Sequence, residues 1–356
     1  MEENERNTEN LEAKPKPVGR RMRNWRFDYL KGICCIVVIL SHCPAPGMLG
    51  DAIIYGCKFA VPIFFMITGY YTDSKNNEWI FHKVKQLLIK LIIAELLYGV
   101  WSLFVHIVID NKDFGSFISG LSILNHPIKV FFCGTLFNGV FWYFYGIIWS
   151  YLLIVLLRKA KVIYSSAFCI AAVAVLLTVH IVGRFILQNM IDYSQYAYLT
   201  RNGLLFGFPL VLTGMLFSRY EKTIREKVSC GKNIVLLFLG GAVLIAEYIF
   251  SRQYLDFHYS SFIISCAMFM FAFTYKKDGI IFKKPLSFMG QNLSLWIYLD
   301  HMFVDQFLKI VAERLSLADN VIYGYFHTLL VIIMSIVMAY IAYIIKKHQY
   351  EKKNRK

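Results

Sequence analysis

Apolar residues in this chain fall in long runs, without the one-sided stripe of a soluble helix or the alternation of a half-buried strand. About ten such runs follow one another, at roughly 27–45, 52–71, 84–108, 131–157, 162–183, 202–218, 233–250, 258–275, 286–310 and 321–345. Each is near the ~20 residues a helix needs to cross a bilayer. The connections are short, none has room for a soluble domain, and no internal repeat is visible. Within hydrocarbon the backbone must satisfy its own hydrogen bonds, and runs of this length do so as helices. The predicted fold class is an all-α integral membrane protein, a bundle of about ten transmembrane helices over residues 26–345. Residues 1–25 read as a disordered basic cytoplasmic tail and 346–356 as a second basic cytoplasmic tail. The polar start leaves no place for a cleavable signal peptide.

Charge gives that bundle a direction. Arg20, Arg21, Arg23 and Arg26 precede the first run, and Lys75, Lys83 and Lys85 lie between the second and third. Further clusters follow the fourth run (Arg158, Lys159, Lys161), the sixth (Arg219, Lys222, Arg225, Lys227) and the eighth (Lys276, Lys277, Lys283, Lys284). The chain ends on a last cluster, from Lys346 to Lys356. The alternate connections are poor in cations. All the basic segments fall on one side if both termini are cytoplasmic, as the positive-inside rule requires for an even number of spans. The formal charge of +15, in a chain only 17% charged and 57% hydrophobic, is therefore expected to reflect a bacterial-type cytoplasmic membrane and no nucleic-acid partner. The eight cysteines form no C-x-x-C pair and read as apolar packers, with no metal site and no disulfide framework.

Ionisable groups inside a transmembrane run are costly and are functional candidates by default. The first run carries Asp28, Lys31 and His42. At 100° and 1.5 Å per residue, Lys31 and His42 fall within about 20° of each other and roughly 16 Å apart along the axis. A cation near the cytoplasmic end and an imidazole about three turns above it, on one face, could line a path. A snorkelling lysine and a hydrogen-bonded core histidine would fit the same spacing. Glu95 and Glu247 also fall inside apolar runs, either as proton-relay groups or paired locally. Cys43 beside His42 lacks an orienting third group and reads as packing.

The segment from Asp28 through Lys31 to His42 resembles the (Arg/Lys)-x10-His signature of the acyltransferase family 3 membrane proteins. The stretch Val61–Tyr70 is similar to that family's F-F-x-x-S-G-[FY] motif, with Thr68 in place of the commoner Ser. The segment holding Lys83 and Lys85 resembles its cationic stretch before the third helix, although Gln86 replaces the second cation of the usual pair. Phe141–Trp142 resembles its helix-entry motif, and Ser294–His301 its penultimate-helix motif. The stretches Thr200–Gly203 and Pro62–Tyr71 are close to the membrane half of vancomycin-resistance-type membrane serine racemases. With the chain ending at Lys356, the racemase domain of those proteins is expected to be absent.

This resemblance implies transfer of an acyl group, usually acetyl, from cytoplasmic acyl-CoA to an outward-facing acceptor such as a cell-envelope glycan. Acyl-CoA would be a co-substrate, with no permanently bound cofactor. His42 would be a general base or a nucleophile. Lys31, with Asp28, Lys83 and Lys85, would lie where CoA phosphates enter, Lys serving as a point-charge phosphate binder. Helix direction then places Arg201, Asn202, Trp142, Asp300 and His301 toward the acceptor side. Trp142 could equally be an interfacial aromatic, Asp300 and Arg201 an ion pair, and His301 and Asp305 an i,i+4 pair. Two other functions stay open. One is a transporter of a small polar solute or polysaccharide, because the racemases' membrane half is proposed to move serine. The other is a binding role for an amino acid or peptidoglycan precursor.

Overall fold

The computed structural model describes residues 24–134, 136–190, 197–199, 201–251, 257–275 and 281–354. The N-terminal tail, Thr200, Lys276 and Lys277 lie outside them. Every described regular element is a helix. The principal ones are α1 (Trp25–His42), α2 (Gly47–Thr72), α3 (Asn77–Phe104), α4 (Trp142–Lys159) and α5 (Ser166–Met190). They continue with α6 (Phe208–Arg219), α7 (Cys230–Ser251), α8 (Tyr259–Thr274), α9 (Ser294–Arg314) and α10 (Val321–Asn354).

Among the described residues, six helices are long and apolar enough to cross a membrane. There are seven if Gly203–Arg219 and Glu221–Lys227, bent by 68°, form one span. The expected ten are therefore met only in part. The short α8 has 16 residues, α1 carries Arg26, Asp28 and Lys31, and α9 carries Asp300, Asp305, Lys309, Glu313 and Arg314. The fourth apolar run also divides. A short helix, Pro127–Cys133, stops at Gly134, which is left-handed with φ of 58°. Asn138 then caps the turn Gly139–Phe141, which leads into α4. The basic C-terminal segment continues α10 as far as Asn354.

Helix ends follow local chemistry. The Asn24 side chain accepts from the Arg26 amide at 3.0 Å, and Asn76 does the same for Trp79 at 3.0 Å. α1 stops where Pro44 and Pro46 follow it. Two crossings depend on glycine. Gly69 of α2 lies against the Val211 carbonyl, and Gly214 of α6 against the Met66 carbonyl. Gly32 of α1 lies against Leu286, while Gly290 lies against Asp28. A side chain at any of the four would meet backbone, so the helices approach as small-residue membrane interfaces do.

Leu210, Val211 and Leu212 of α6 are fully buried, which puts α6 inside the bundle. α3 and α7 instead present apolar side chains outward, with Leu97 67% exposed and Phe238 75% exposed. Such faces are stable in hydrocarbon rather than water.

The cation-rich segments meet at one end. Arg158 donates to the Lys75 carbonyl at 2.8 Å and to Asn77 at 3.0 Å. Arg219 pairs with Asp73 at 3.0 Å, and Arg225 donates to the Phe273 carbonyl at 2.8 Å. The Lys283 ammonium stands 4.0 Å from the centre of the Trp25 ring. At the other end, Thr328 of α10 donates to the Cys43 carbonyl at 2.7 Å.

Candidate active site

A cavity of about 320 Å³ runs between α1, α2, α4 and α9. Lys31, Tyr71 and Trp79 line it near the cation-rich end, and His42, Trp142 and His301 line it further along. Its walls between are apolar and aromatic, including Phe64, Tyr143, Phe144 and Ile147. The helical period of α1 is what carries Lys31 and His42 onto this one face.

At the cationic mouth, the Lys31 ammonium pairs with Asp28 at 2.8 Å, the two side chains being 20% and 6% exposed. The ammonium therefore stays in the wall of the cavity, held by a carboxylate one turn below, and does not reach freely into solvent. Trp79 joins Lys83 to the same mouth, with the Lys83 ammonium 5.5 Å from its ring centre and that of Lys75 at 6.0 Å. Lys83 also donates to Gln86 at 3.1 Å, so the residue that breaks the expected pair of cations positions the one that remains. Lys85 is exposed on the outside of α3, away from the cavity wall.

At the far end, the rings of His42 and His301 lie 5.4 Å apart, inclined at 48°. His42 is exposed, on the cavity side, and among the described residues its ring makes no hydrogen bond. His301 is fully buried. Its Nδ1 lies 3.0 Å from the Ile297 carbonyl. A carbonyl only accepts, so Nδ1 carries the proton and Nε2 presents a lone pair. That Nε2 is buried and has no partner. Two neighbouring imidazoles, one of them a fixed tautomer, are suited to accepting a proton from a hydroxyl.

Trp142 forms the wall beside these histidines, and the Arg201 guanidinium lies 5.8 Å from its ring centre. Arg201 is thus brought to the same end through Trp142. Asn202 is engaged otherwise. Its Oδ1 accepts from the Leu204 and Leu205 amides at 2.9 Å, and its Nδ2 donates to the Tyr198 and Leu199 carbonyls. It caps the π-turn Gly203–Gly207, and its polar atoms are taken up by the backbone.

Asp300 stands apart from the expected cluster. Adjacent helical residues point about 100° apart, so with His301 turned toward α1, Asp300 faces α3 and α10. There it lines a second cavity of about 770 Å³. It is not brought to Arg201, and its Oδ1 is buried without a partner. Leu295 lines both cavities and separates them. Asp305 does not bond His301. It accepts from His327 Nε2 and from the Lys309 ammonium, each at 2.8 Å.

Tyr98 and Tyr298 brace α9. The Tyr98 hydroxyl donates to the Leu299 carbonyl at 2.7 Å and accepts from the Phe303 amide at 3.0 Å, which inserts it into the backbone ladder of α9 beside His301. The Tyr298 hydroxyl donates to the Val140 carbonyl. Trp79, Tyr98, Tyr298 and the Asp305–His327 pair were not expected from sequence. Of these, Tyr298 lies inside the Ser294–His301 motif, and the i,i+4 spacing of Trp79 and Lys83 offered a second signal. Glu95 and Glu247 pair locally, Glu95 with the Phe137 amide at 3.3 Å and Glu247 with those of Tyr259 and Ser260 at 3.1 and 3.2 Å. Cys43 is buried, and it is Cys35, one of the presumed packers, that reaches the cavity wall.

A sequence profile of the acyltransferase domain family matches residues 24–346. The chain belongs to the acyltransferase domain family. It is a multi-pass membrane member of that family, and the matched stretch contains the whole cavity from Lys31 to His301. The chain is also similar to a serine/alanine racemase from Enterococcus gallinarum, at 24% identity over 349 residues. That alignment covers 88% of this chain and 45% of the racemase, so the chain spans less than half the length of this curated relative. No solved structure matches. Within the acyltransferase domain family, then, this chain combines one apolar cavity, a lysine-lined mouth and a pair of histidines.

Proposed function

We propose that the protein is a membrane-bound O-acyltransferase. It would move an acyl group, acetyl in the simplest case, from cytoplasmic acyl-CoA to a hydroxyl of an extracytoplasmic acceptor, either a cell-envelope glycan or a small polar molecule. The observation that carries this reading is the single cavity with a cation at one end and two imidazoles at the other. On this reading ten helices span a bacterial-type cytoplasmic membrane, and the cation-rich end and both termini are cytoplasmic.

CoA phosphates rest at the mouth beside Lys31, Lys83 and the more peripheral Lys85, with Asp28 orienting Lys31. The pantetheine arm then follows the apolar walls, over the roughly 16 Å that separates Lys31 from His42 along α1. At the far end the acceptor hydroxyl loses its proton to His42 as its oxygen bonds to the thioester carbonyl carbon. The carbon–sulfur bond breaks, the CoA sulfur takes up the proton, and an ester remains on the acceptor. The Nε2 lone pair of His301 supports the proton on His42, and Arg201 beside Trp142 favours an acceptor that carries a negative charge.

The test is purified full-length protein with radiolabelled acetyl-CoA, scoring CoA release, label on acceptor and acyl-CoA binding. His42→Ala keeps acyl-CoA binding and loses transfer by about 10²–10⁴-fold. His42→Gln does not rescue it, because an amide cannot take the proton. If glutamine restores function in cells and the wild type releases no CoA, the protein moves a solute and is not an acyltransferase.

A further inference from the structure

The second cavity lies outside the proposed reaction path. It is a groove between α3, α9 and α10, and its charged lining residues are Lys90, Lys346 and Asp300. The rest of the wall is mainly aliphatic and aromatic, including Leu97, Trp101, Phe104 and Phe303. From Lys90 to Phe104 it follows α3 for 14 residues, or about 21 Å, which exceeds the ~15 Å of one hydrocarbon leaflet. The α3 residues along it are open to the bilayer, with Ile93 53% exposed and Val100 70% exposed.

The groove has a polarity. Lys90 and Lys346 line one end, and the Lys90 ammonium stands in the field of two further cations, Lys346 and Lys83. Among the described residues neither Lys90 nor Lys346 makes a hydrogen bond or ion pair. Asp300 lies deeper, level with Tyr98, and among the described residues no cation accompanies it there, so the lysine end is where the groove offers positive charge. A ligand that complements this arrangement has an anionic head at the lysine end and a long apolar chain beyond it.

We propose that the groove is a binding site for one anionic phospholipid, its phosphate between Lys90 and Lys346 and one acyl chain laid along α3. A lipid seated there packs against α9, the helix that carries Tyr298 and His301 into the other cavity, so its occupancy steadies the histidine end. The site does not depend on the acyl-transfer reading, because lipid binding is read without turnover.

The experiment is native mass spectrometry of the full chain, titrated with phosphatidylglycerol or with phosphatidylcholine of the same chains. The wild type takes up phosphatidylglycerol at the lower concentration. Lys90→Ala/Lys346→Ala binds it roughly 30-fold more weakly, with phosphatidylcholine binding unchanged. Lys159→Ala/Lys222→Ala removes two exposed cations away from the groove and keeps the preference. Equal uptake of the two lipids by the wild type overturns the proposal, as does a preference that survives in the groove variant or disappears equally in the control.

Discussion

On the proposed function, the Lys31–Asp28 pair gives one residue a structural part and a donor-binding part. Removing the ammonium takes one cation from beside a nearly buried carboxylate, so Lys31→Ala alone mixes a folding defect with any effect on the donor. Neutralising both partners separates them. Lys31→Ala is expected to lower the melting temperature, and Asp28→Asn in the same chain to restore it. In both variants the KM for acyl-CoA rises by roughly 10- to 150-fold, the loss of one charge-assisted contact. Thermal unfolding together with a KM measurement checks this, and an unchanged KM in the double variant would leave Lys31 as a packing cation only. The shared face of Lys31 and His42 was legible because one helix period fixes it. Asp300 was misplaced for the matching reason: its position along α9 follows from counting residues, but which neighbour a helix face meets is set by tertiary packing. Asn202 shows a similar gap, since cap and ligand use the same amide atoms.

At the level of helices, hydrophobic run length located the elements, and the interruptions were hidden. Gly134 ends a helix inside an apolar run, and the π-turns Gly203–Gly207 and Met289–Leu293 carry no hydropathy signature. Of the two, Met289–Leu293 stands just before an element of the site, α9, where an extra residue in the turn resets which side chains face the cavity. The second of them lets Gly290 touch the α1 backbone at Asp28. Gly290→Ala places a methyl group against that carbonyl and is expected to cost about 1–3 kcal/mol through forced separation of α1 from α9. Gly241→Ala, with open space around it, is expected to be neutral or slightly stabilising. Thermal unfolding of the two variants side by side tests the contrast, and equal stability would show that the crossing is looser than its geometry.

For the whole molecule, the alternation of cation-rich and cation-poor connections was legible in full, because it depends on residue counts and not on packing. The gathering of Arg158, Arg219, Arg225 and Lys283 at one end of the bundle agrees with it. In cells expressing a chain whose native cysteines are replaced, an impermeant thiol reagent added outside should label Leu317→Cys. It should not label Lys284→Cys, although both positions are exposed. Labelling of both would overturn the orientation. Acceptor chemistry was not legible at this scale, since it depends on how Trp142, Arg201 and the two histidines converge from four separate segments.

Leu295, set between the two cavities, is a partition. It precedes His301 by six residues, about 9 Å toward the lysine-lined mouth, so on the proposed path it flanks the pantetheine arm of the donor. Leu295→Ala opens that wall and gives a lipid chain in the groove a way into the donor's path. The variant is expected to lose acyl-CoA affinity as phosphatidylglycerol is added, where the wild type holds it, which a binding assay at rising lipid concentration checks. Unaltered binding would place the partition elsewhere. One aliphatic side chain would then keep a water-soluble thioester and the chains of the bilayer from sharing one channel.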